Sequence, residues 1–151
     1  MARILVVDDE PSIVKLVSAT LRARGHEVFE ACDGEEALDK AGLLKPDLVI
    51  LDIMMPKMDG REVRKRLHKD PKTAAIPVIH LSAVGDFENQ LEAMEDGLTD
   101  YFTKPFAPRE LAEKVEAFLD PAQRDRAKGE AHMKTGKLRT IVEIMHRDHD
   151  A

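Results

Sequence analysis

The sequence predicts an α/β fold: a doubly wound parallel sheet with helices on both faces. Three observations predict it. Short runs of branched apolar residues recur along the chain, segments of helical period lie between them, and Gly or Pro punctuates the junctions. Five such strand–helix units follow one another.

Ile4 to Val7 is the first strand, short and rich in branched residues. Pro11 suits the first position of a helix, where its missing N–H costs nothing. Ile13, Leu16, Val17, Thr20 and Leu21 then form an apolar helical face, and Gly25 is a natural stop. His26 to Ala31 is a second, weaker strand. Gly34 opens a helix with Ala37, Leu38, Ala41 and Leu44 on one side, broken by Pro46. Asp47 to Leu51 is the third strand, ending at Asp52. After the Met54 to Gly60 loop, a short helix runs through Val63 and Leu67 and closes near Asp70-Pro71. Ile76 to Leu81 is the fourth strand, with Pro77 near its start, where a missing donor is tolerated. Phe87, Leu91 and Met94 mark a fourth helix ended by Gly97, and Tyr101 to Thr103 is a short fifth strand. Pro108 starts a fifth helix carrying Leu111, Val115 and Phe118.

A chain of 151 residues suits one domain with an appendage. Hydrophobic residues at 43% and charged residues at 34% describe a globular protein, not a disordered one. A net charge of −6 argues against nucleic acid and against anionic membranes as bulk partners. Cys32 is the only cysteine, so no internal disulfide can form and a reducing compartment fits. No stretch approaches the roughly 20 apolar residues of a membrane span, and a cytoplasmic location is expected.

The chain divides at about residue 120. Residues 1–120 hold 16 Lys+Arg against 24 Asp+Glu, whereas residues 121–151 hold 7 against 5 and three of the six histidines. Asp120-Pro121-Ala122-Gln123 reads as a fresh helix start, and Leu138, Ile141, Val142 and Met145 share one helical face. A C-terminal helical extension over 121–151 is expected. Its apolar face offers packing on the domain, a homodimer or a docking segment.

In parallel α/β sheets, ligands bind outside the carboxyl ends of the strands. Asp8 and Asp9 stand at the end of strand one, Asp52 at strand three, Ser82 at strand four and Lys104 at strand five. Close carboxylates repel one another, which raises their pKa values or demands a cation. A hard divalent ion with oxygen ligands, Mg²⁺ by preference, meets that demand and leaves positions for phosphate oxygens. A carboxylate can itself attack phosphorus to form an acyl phosphate. Lys104 supplies charge for the phosphoryl oxygens and Ser82 a hydrogen bond. Asp52 is the better nucleophile candidate, because the adjacent Asp8 and Asp9 suit the metal.

These residues carry a resemblance. Asp8-Asp9-Glu10, Leu51-Asp52-Ile53-Met54-Met55-Pro56, Met58-Asp59-Gly60, Ser82-Ala83 and Tyr101-Phe102-Thr103-Lys104-Pro105-Phe106 resemble the motifs of a two-component response-regulator receiver domain of the chemotaxis type. Ser82 lies 30 residues and Lys104 52 residues after Asp52, and the match spans roughly residues 2–120. The resemblance implies a flavodoxin-like strand order of 2-1-3-4-5 and a cis Lys104–Pro105 bond. It implies Asp52 as phosphoacceptor, with Mg²⁺ on Asp8, Asp9, Asp52 and the backbone carbonyl of Met54. Lys104 is then the phosphoryl-oxygen ligand, and Ser82 and Tyr101 are the switch residues.

The implied partners are a sensor histidine kinase or phosphotransfer protein and a downstream protein that meets the fourth-helix, fifth-strand and fifth-helix face. Such a protein is a signalling switch that catalyses only its own phosphotransfer and dephosphorylation. Two other classes are weighed against it. An aspartyl-nucleophile phosphatase resembles a pattern with a second Asp two residues after the first, which Asp8-Asp9-Glu10-Pro11 lacks. A phosphate-independent interaction module on the same fold is the other. Met54 and Val84, two residues after Asp52 and Ser82, offer no amide or carboxylate to orient water, so a long-lived acyl phosphate is expected. Met54, Met55 and Met58 are read as packing and cover for the loop.

Overall fold

The computed structural model describes residues 1–83 and 97–122. The elements are β1 (Arg3–Val7), α1 (Pro11–Ala23), β2 (Glu27–Ala31), α2 (Gly34–Leu44), β3 (Leu48–Asp52), α3 (Gly60–Lys69), β4 (Val78–Ala83), β5 (Thr99–Lys104) and α4 (Pro108–Leu119). Helix α4 is the fifth helix expected from the sequence. The expected fourth helix through Phe87, Leu91 and Met94 lies outside the described residues, as do Val84 and residues 123–151.

The five strands form one parallel sheet in the order β2-β1-β3-β4-β5. Strand alternation splits its side chains between two cores. Ile4, Val6, Ile50, Ile79 and Leu81 pack against α1 and α4 through Val17, Leu21, Leu111 and Val115. Leu5, Val7, Val49, Leu51 and Val78 pack on the opposite face against α2 and α3 through Ala37, Ala41, Val63 and Leu67. Ile4, Leu5, Ile50 and Leu51 are completely inaccessible, and each such side chain contributes about 1.5–3 kcal/mol of burial. That double burial is why the strands read as unbroken apolar runs.

Helix starts and stops are set locally. Pro11 occupies the first turn of α1. The Asp33 carboxylate accepts the Glu36 N–H at 2.8 Å and caps α2, while the Glu36 carboxylate reaches back to the Cys32 N–H at 3.1 Å. Asp59 caps α3 by accepting the Glu62 N–H at 3.1 Å. Gly25 has φ +91, as a stop after α1 requires. Helix α2 ends at Leu44 with Lys45 as a left-handed cap (φ 47) immediately before Pro46, in line with the expected break there.

The first three strands differ from their expected spans by one residue at an end, and the last two by more. The fourth begins at Val78, not Ile76, because Pro77 has no N–H and enters the ladder only through its carbonyl, which accepts the Val49 N–H at 3.0 Å. At its other end it runs past Leu81 to Ala83, paired with Thr103 and Lys104 of the fifth strand. The fifth reaches from Thr99 to Lys104, longer at both ends than its apolar residues announce. Beyond α4, the Asp120 carboxylate accepts the Ala122 N–H at 3.0 Å as a new helical turn starts at Pro121, in line with the expected restart.

Candidate functional site

The parallel ladder brings the ends of β1, β3 and β5 to one rim of the sheet. Asp8 follows β1 directly, and Asp52 is the last residue of β3. Both are buried, at 1% and 4% exposure, while Asp9 is open to solvent. One carboxylate oxygen from each of Asp8, Asp9 and Asp52 lies within 4.8 Å of the others. Lys104 ends β5 and crosses the rim toward them. Its Nζ donates to Asp8 Oδ2 at 2.9 Å and lies 3.6 Å from Asp52 Oδ1 and 3.8 Å from Glu10. The other Asp8 oxygen accepts the Glu10 N–H at 2.9 Å, so Asp8 is fixed from two sides.

One ammonium faces more negative charge than it can neutralise. Burial, then the charge of Asp8, push Asp52 up to about 7, and Lys104 only partly offsets them. Burial works against the Lys104 ammonium, but its hydrogen bond to Asp8 and the charges of Asp52, Asp8 and Glu10 prevail and raise its pKa. The donor set is all oxygen, crowded and under-neutralised, which fits a hard divalent cation.

The loop after β3 is shaped around Asp52. The Met54 N–H donates to Asp52 Oδ1 at 3.3 Å, and the Gly60 N–H donates to the Ile53 carbonyl at 2.9 Å. A Cβ on Gly60 would collide with the backbone carbonyl of Asp52, so only glycine lets α3 start against this strand end. The loop methionines divide. Met55 is buried in the core and Met58 packs against it, but the Met54 side chain is 71% exposed and covers nothing, which corrects the reading of all three as cover.

Ser82 lies one strand from Asp52 and Tyr101 two. Ser82 is buried in β4, one step past the residue paired with Asp52, and pairs with Thr103. Tyr101 is half-buried on β5 opposite His80. Burial, then the Asp100 charge, raise its phenol pKa. The structure thus gathers Asp8, Asp9, Asp52 and Lys104 at bonding or near-bonding range, and sets Ser82 on β4 and Tyr101 on β5. The Lys104–Pro105 peptide is cis. The sequence reading gave Glu10 no role of its own, although its contact with Lys104 adds a fourth acid to the rim. Its place beside Asp8-Asp9 was the available signal.

An acid-rich rim with one lysine, at the carboxyl ends of a 2-1-3-4-5 parallel sheet, can hold a divalent cation and take a phosphoryl group on a carboxylate. The family model "Response regulator receiver domain" matches residues 4–116, and the chain belongs to that family. Among curated relatives, it is 44% identical over 119 residues to the DNA-binding dual master transcriptional regulator RpaA of Synechocystis, covering 79% of this chain and 49% of RpaA. It is 47% identical over 117 residues to the alkaline phosphatase synthesis transcriptional regulatory protein PhoP of Bacillus subtilis, covering 78% of this chain and 48% of PhoP. Among solved structures, the Vibrio cholerae chemotaxis protein CheY4 matches with a TM-score of 0.72 and 37% identity, over 77% of this chain and 97% of that one.

The chain spans about half the length of the curated relatives it matches. Receiver domains of this family serve phosphorylation-dependent signalling, meet histidine kinases or phosphotransfer proteins, and bind Mg²⁺ through acidic residues. The charge argument against nucleic acid is not supported by these matches, since RpaA is named as DNA-binding; net charge speaks for these 151 residues alone. Among the described residues, no helix is long and apolar enough to cross a membrane.

Proposed function

We propose that this chain is a receiver whose Asp52 accepts a phosphoryl group from the phosphohistidine of a sensor histidine kinase or phosphotransfer protein. The single observation that carries the reading is the rim itself: three carboxylates within 4.8 Å of one another, with Lys104 at 2.9 Å from Asp8 and 3.6 Å from Asp52. In the transfer, an Asp52 carboxylate oxygen attacks phosphorus. The P–N bond breaks, and its electron pair remains on the imidazole nitrogen of the donor. Lys104 neutralises a phosphoryl oxygen as it moves off Asp52, and remains tethered by Asp8. Asp8, Asp9, Asp52 and the Met54 carbonyl are the residues that would hold Mg²⁺, which when bound would supply positive charge to the transferring group and favour the ionised form of Asp52.

Ser82 and Tyr101 read the new phosphate and bias the surface around β5 and α4 that a downstream protein meets. The reading is of a switch in the cytoplasm that acts on no substrate pool. Residues 1–120 are the receiver, and residues 121–151 a helical appendage that packs, pairs two chains or docks.

The test is intact mass after incubation with acetyl phosphate and Mg²⁺. Wild type should gain about one phosphoryl mass, lost with chelator and absent in Asp52→Asn. A gain that survives Asp52→Asn would remove Asp52 from its role. No gain from acetyl phosphate or from a phosphorylated kinase, with partner binding intact in Asp52→Ala, would leave the phosphate-independent module.

A further inference from the structure

The far edge of the sheet carries a second lysine in a different setting. Strand β5 is the outer strand of the described sheet, with β4 on one side only. Lys114, on α4, places its Nζ 3.2 Å from Asp100 Oδ2, 5.4 Å from the centroid of the Tyr101 ring and 5.6 Å from that of Phe102. Successive side chains leave a strand on opposite faces. An ammonium near both rings must therefore sit over the strand's edge, astride the backbone. The contact is well shielded, with 22% of the Lys114 side chain and 10% of the Asp100 side chain exposed.

Each neighbour of this ammonium is itself held. The other Asp100 oxygen, Oδ1, accepts the Tyr101 N–H at 2.7 Å, so the tether is anchored to the backbone of the residue whose ring it controls. Phe102 is locked by an edge-on contact with Phe106 at 5.8 Å and by packing on the core shared with α1 and α4. Tyr101 is half-buried as Phe102 is, but among the described residues its ring meets no second ring, and the Lys114 ammonium is its ring contact.

We propose that Lys114 is a positioning residue for Tyr101: tethered by Asp100, its ammonium holds the phenol ring at the edge of β5. The inference rests on the proposed switch role of Tyr101 and adds the restraint against which that switch works. A ring moving inward along β5 gives up a shielded cation–π contact, so removing the cation shifts the ring's balance by about 2- to 5-fold.

The chain has one tyrosine and no tryptophan, so Tyr101 can be followed alone. The experiment is fluorine NMR of 3-fluorotyrosine-labelled protein, titrated with beryllofluoride and Mg²⁺ as an acyl-phosphate mimic. In Lys114→Met the Tyr101 resonance should move before any addition, and beryllofluoride should bind about 2- to 5-fold more tightly. Lys114→Arg should restore both. Asp100→Asn keeps an acceptor for the Tyr101 N–H but loses the tether, and should follow Lys114→Met in both readouts. It decides the matter should Lys114→Met fail to fold. Beryllofluoride binding with a wild-type Tyr101 resonance and affinity in the folded variants would overturn the inference and leave the phosphoryl site intact. Absence of beryllofluoride binding in wild type would instead strike at the Asp52 reading, and the resonance in the unliganded variants would still decide whether Lys114 holds the ring.

Discussion

The two lysines of the β5–α4 unit are alike in burial and unlike in company. Lys104 and Lys114 are 21% and 22% exposed, and each donates to or pairs with an aspartate, Asp8 at 2.9 Å and Asp100 at 3.2 Å. At the rim, however, Lys104 meets Asp8, Asp52 and Glu10, with Asp9 close by. At the edge, Lys114 meets one carboxylate and two aromatic rings. Negative charge in excess of the available cation makes the rim a site for added positive charge and for phosphoryl chemistry. A balanced pair has no such demand, and its ammonium is left to hold a ring. The ratio of acids to lysine, more than the presence of an ion pair, separates chemistry from positioning.

The largest effect should come from breaking the rim. Asp52→Asn should abolish phosphoryl uptake, and Lys104→Ala should slow it by about 100-fold, as expected for loss of a charge that neutralises the transferring group. Asp100→Asn should leave the uptake rate within a few-fold of wild type. Rates from intact-mass time courses check all three, and equal losses at Asp100 and Lys104 would erase the distinction between the two pairs.

Next in size is the loop that presents Asp52. Gly60→Ala should destabilise the fold by about 2–3 kcal/mol in urea, since the added methyl meets the Asp52 carbonyl and backbone must shift. Wild-type stability in that variant would show that the close approach is dispensable.

A third prediction sharpens the electrostatics. Asp52 is raised to about 7 in the fold, against about 4 in an unfolded chain. Between these values the folded state holds a proton that the unfolded chain has lost, so without metal stability falls as pH rises from about 4 to 7 and stays low above it. Asp52→Asn should accordingly stabilise the metal-free protein at pH 8 by roughly 1–3 kcal/mol, with Lys104 limiting the gain. Denaturant melts at pH 5 and pH 8 check the sign, and a variant no more stable than wild type at pH 8 would contradict it.

How much of this was legible in the sequence follows from what each feature depends on. Strands β1 and β3 announced themselves because residues buried on both faces form apolar runs, and their ends placed Asp8, Asp9 and Asp52. Strand β5 was legible only in part, since Thr99, Asp100 and Lys104 are polar and their strand state comes from pairing with β4. The rim's members could be named from strand ends alone, and the resemblance gave them roles. The Lys114–Asp100–Tyr101 contact could not be read, because it depends on where α4 lies along the edge of β5. The Asp33 and Asp59 caps were readable, each with a Glu three residues on, and were missed in favour of the adjacent glycines.

The smallest effect concerns lifetime. The exposed Met54 side chain, two residues past Asp52, offers nothing to orient water, so Met54→Asn should speed loss of the phosphoryl group by about 2- to 10-fold. An unchanged lifetime would remove that position from any part in hydrolysis.

The central claim is that the rim is short of positive charge and that Asp52 bears the consequence. Calorimetric titration with Mg²⁺ at pH 7, repeated in buffers of different ionisation enthalpy, counts the protons released on binding. With Asp52 pushed up toward neutrality by burial and by Asp8, the account predicts proton release on Mg²⁺ binding in wild type, none in Asp52→Asn, and a wild-type value in Asp100→Asn. Mg²⁺ binding without proton release, or release that persists in Asp52→Asn, would contradict it.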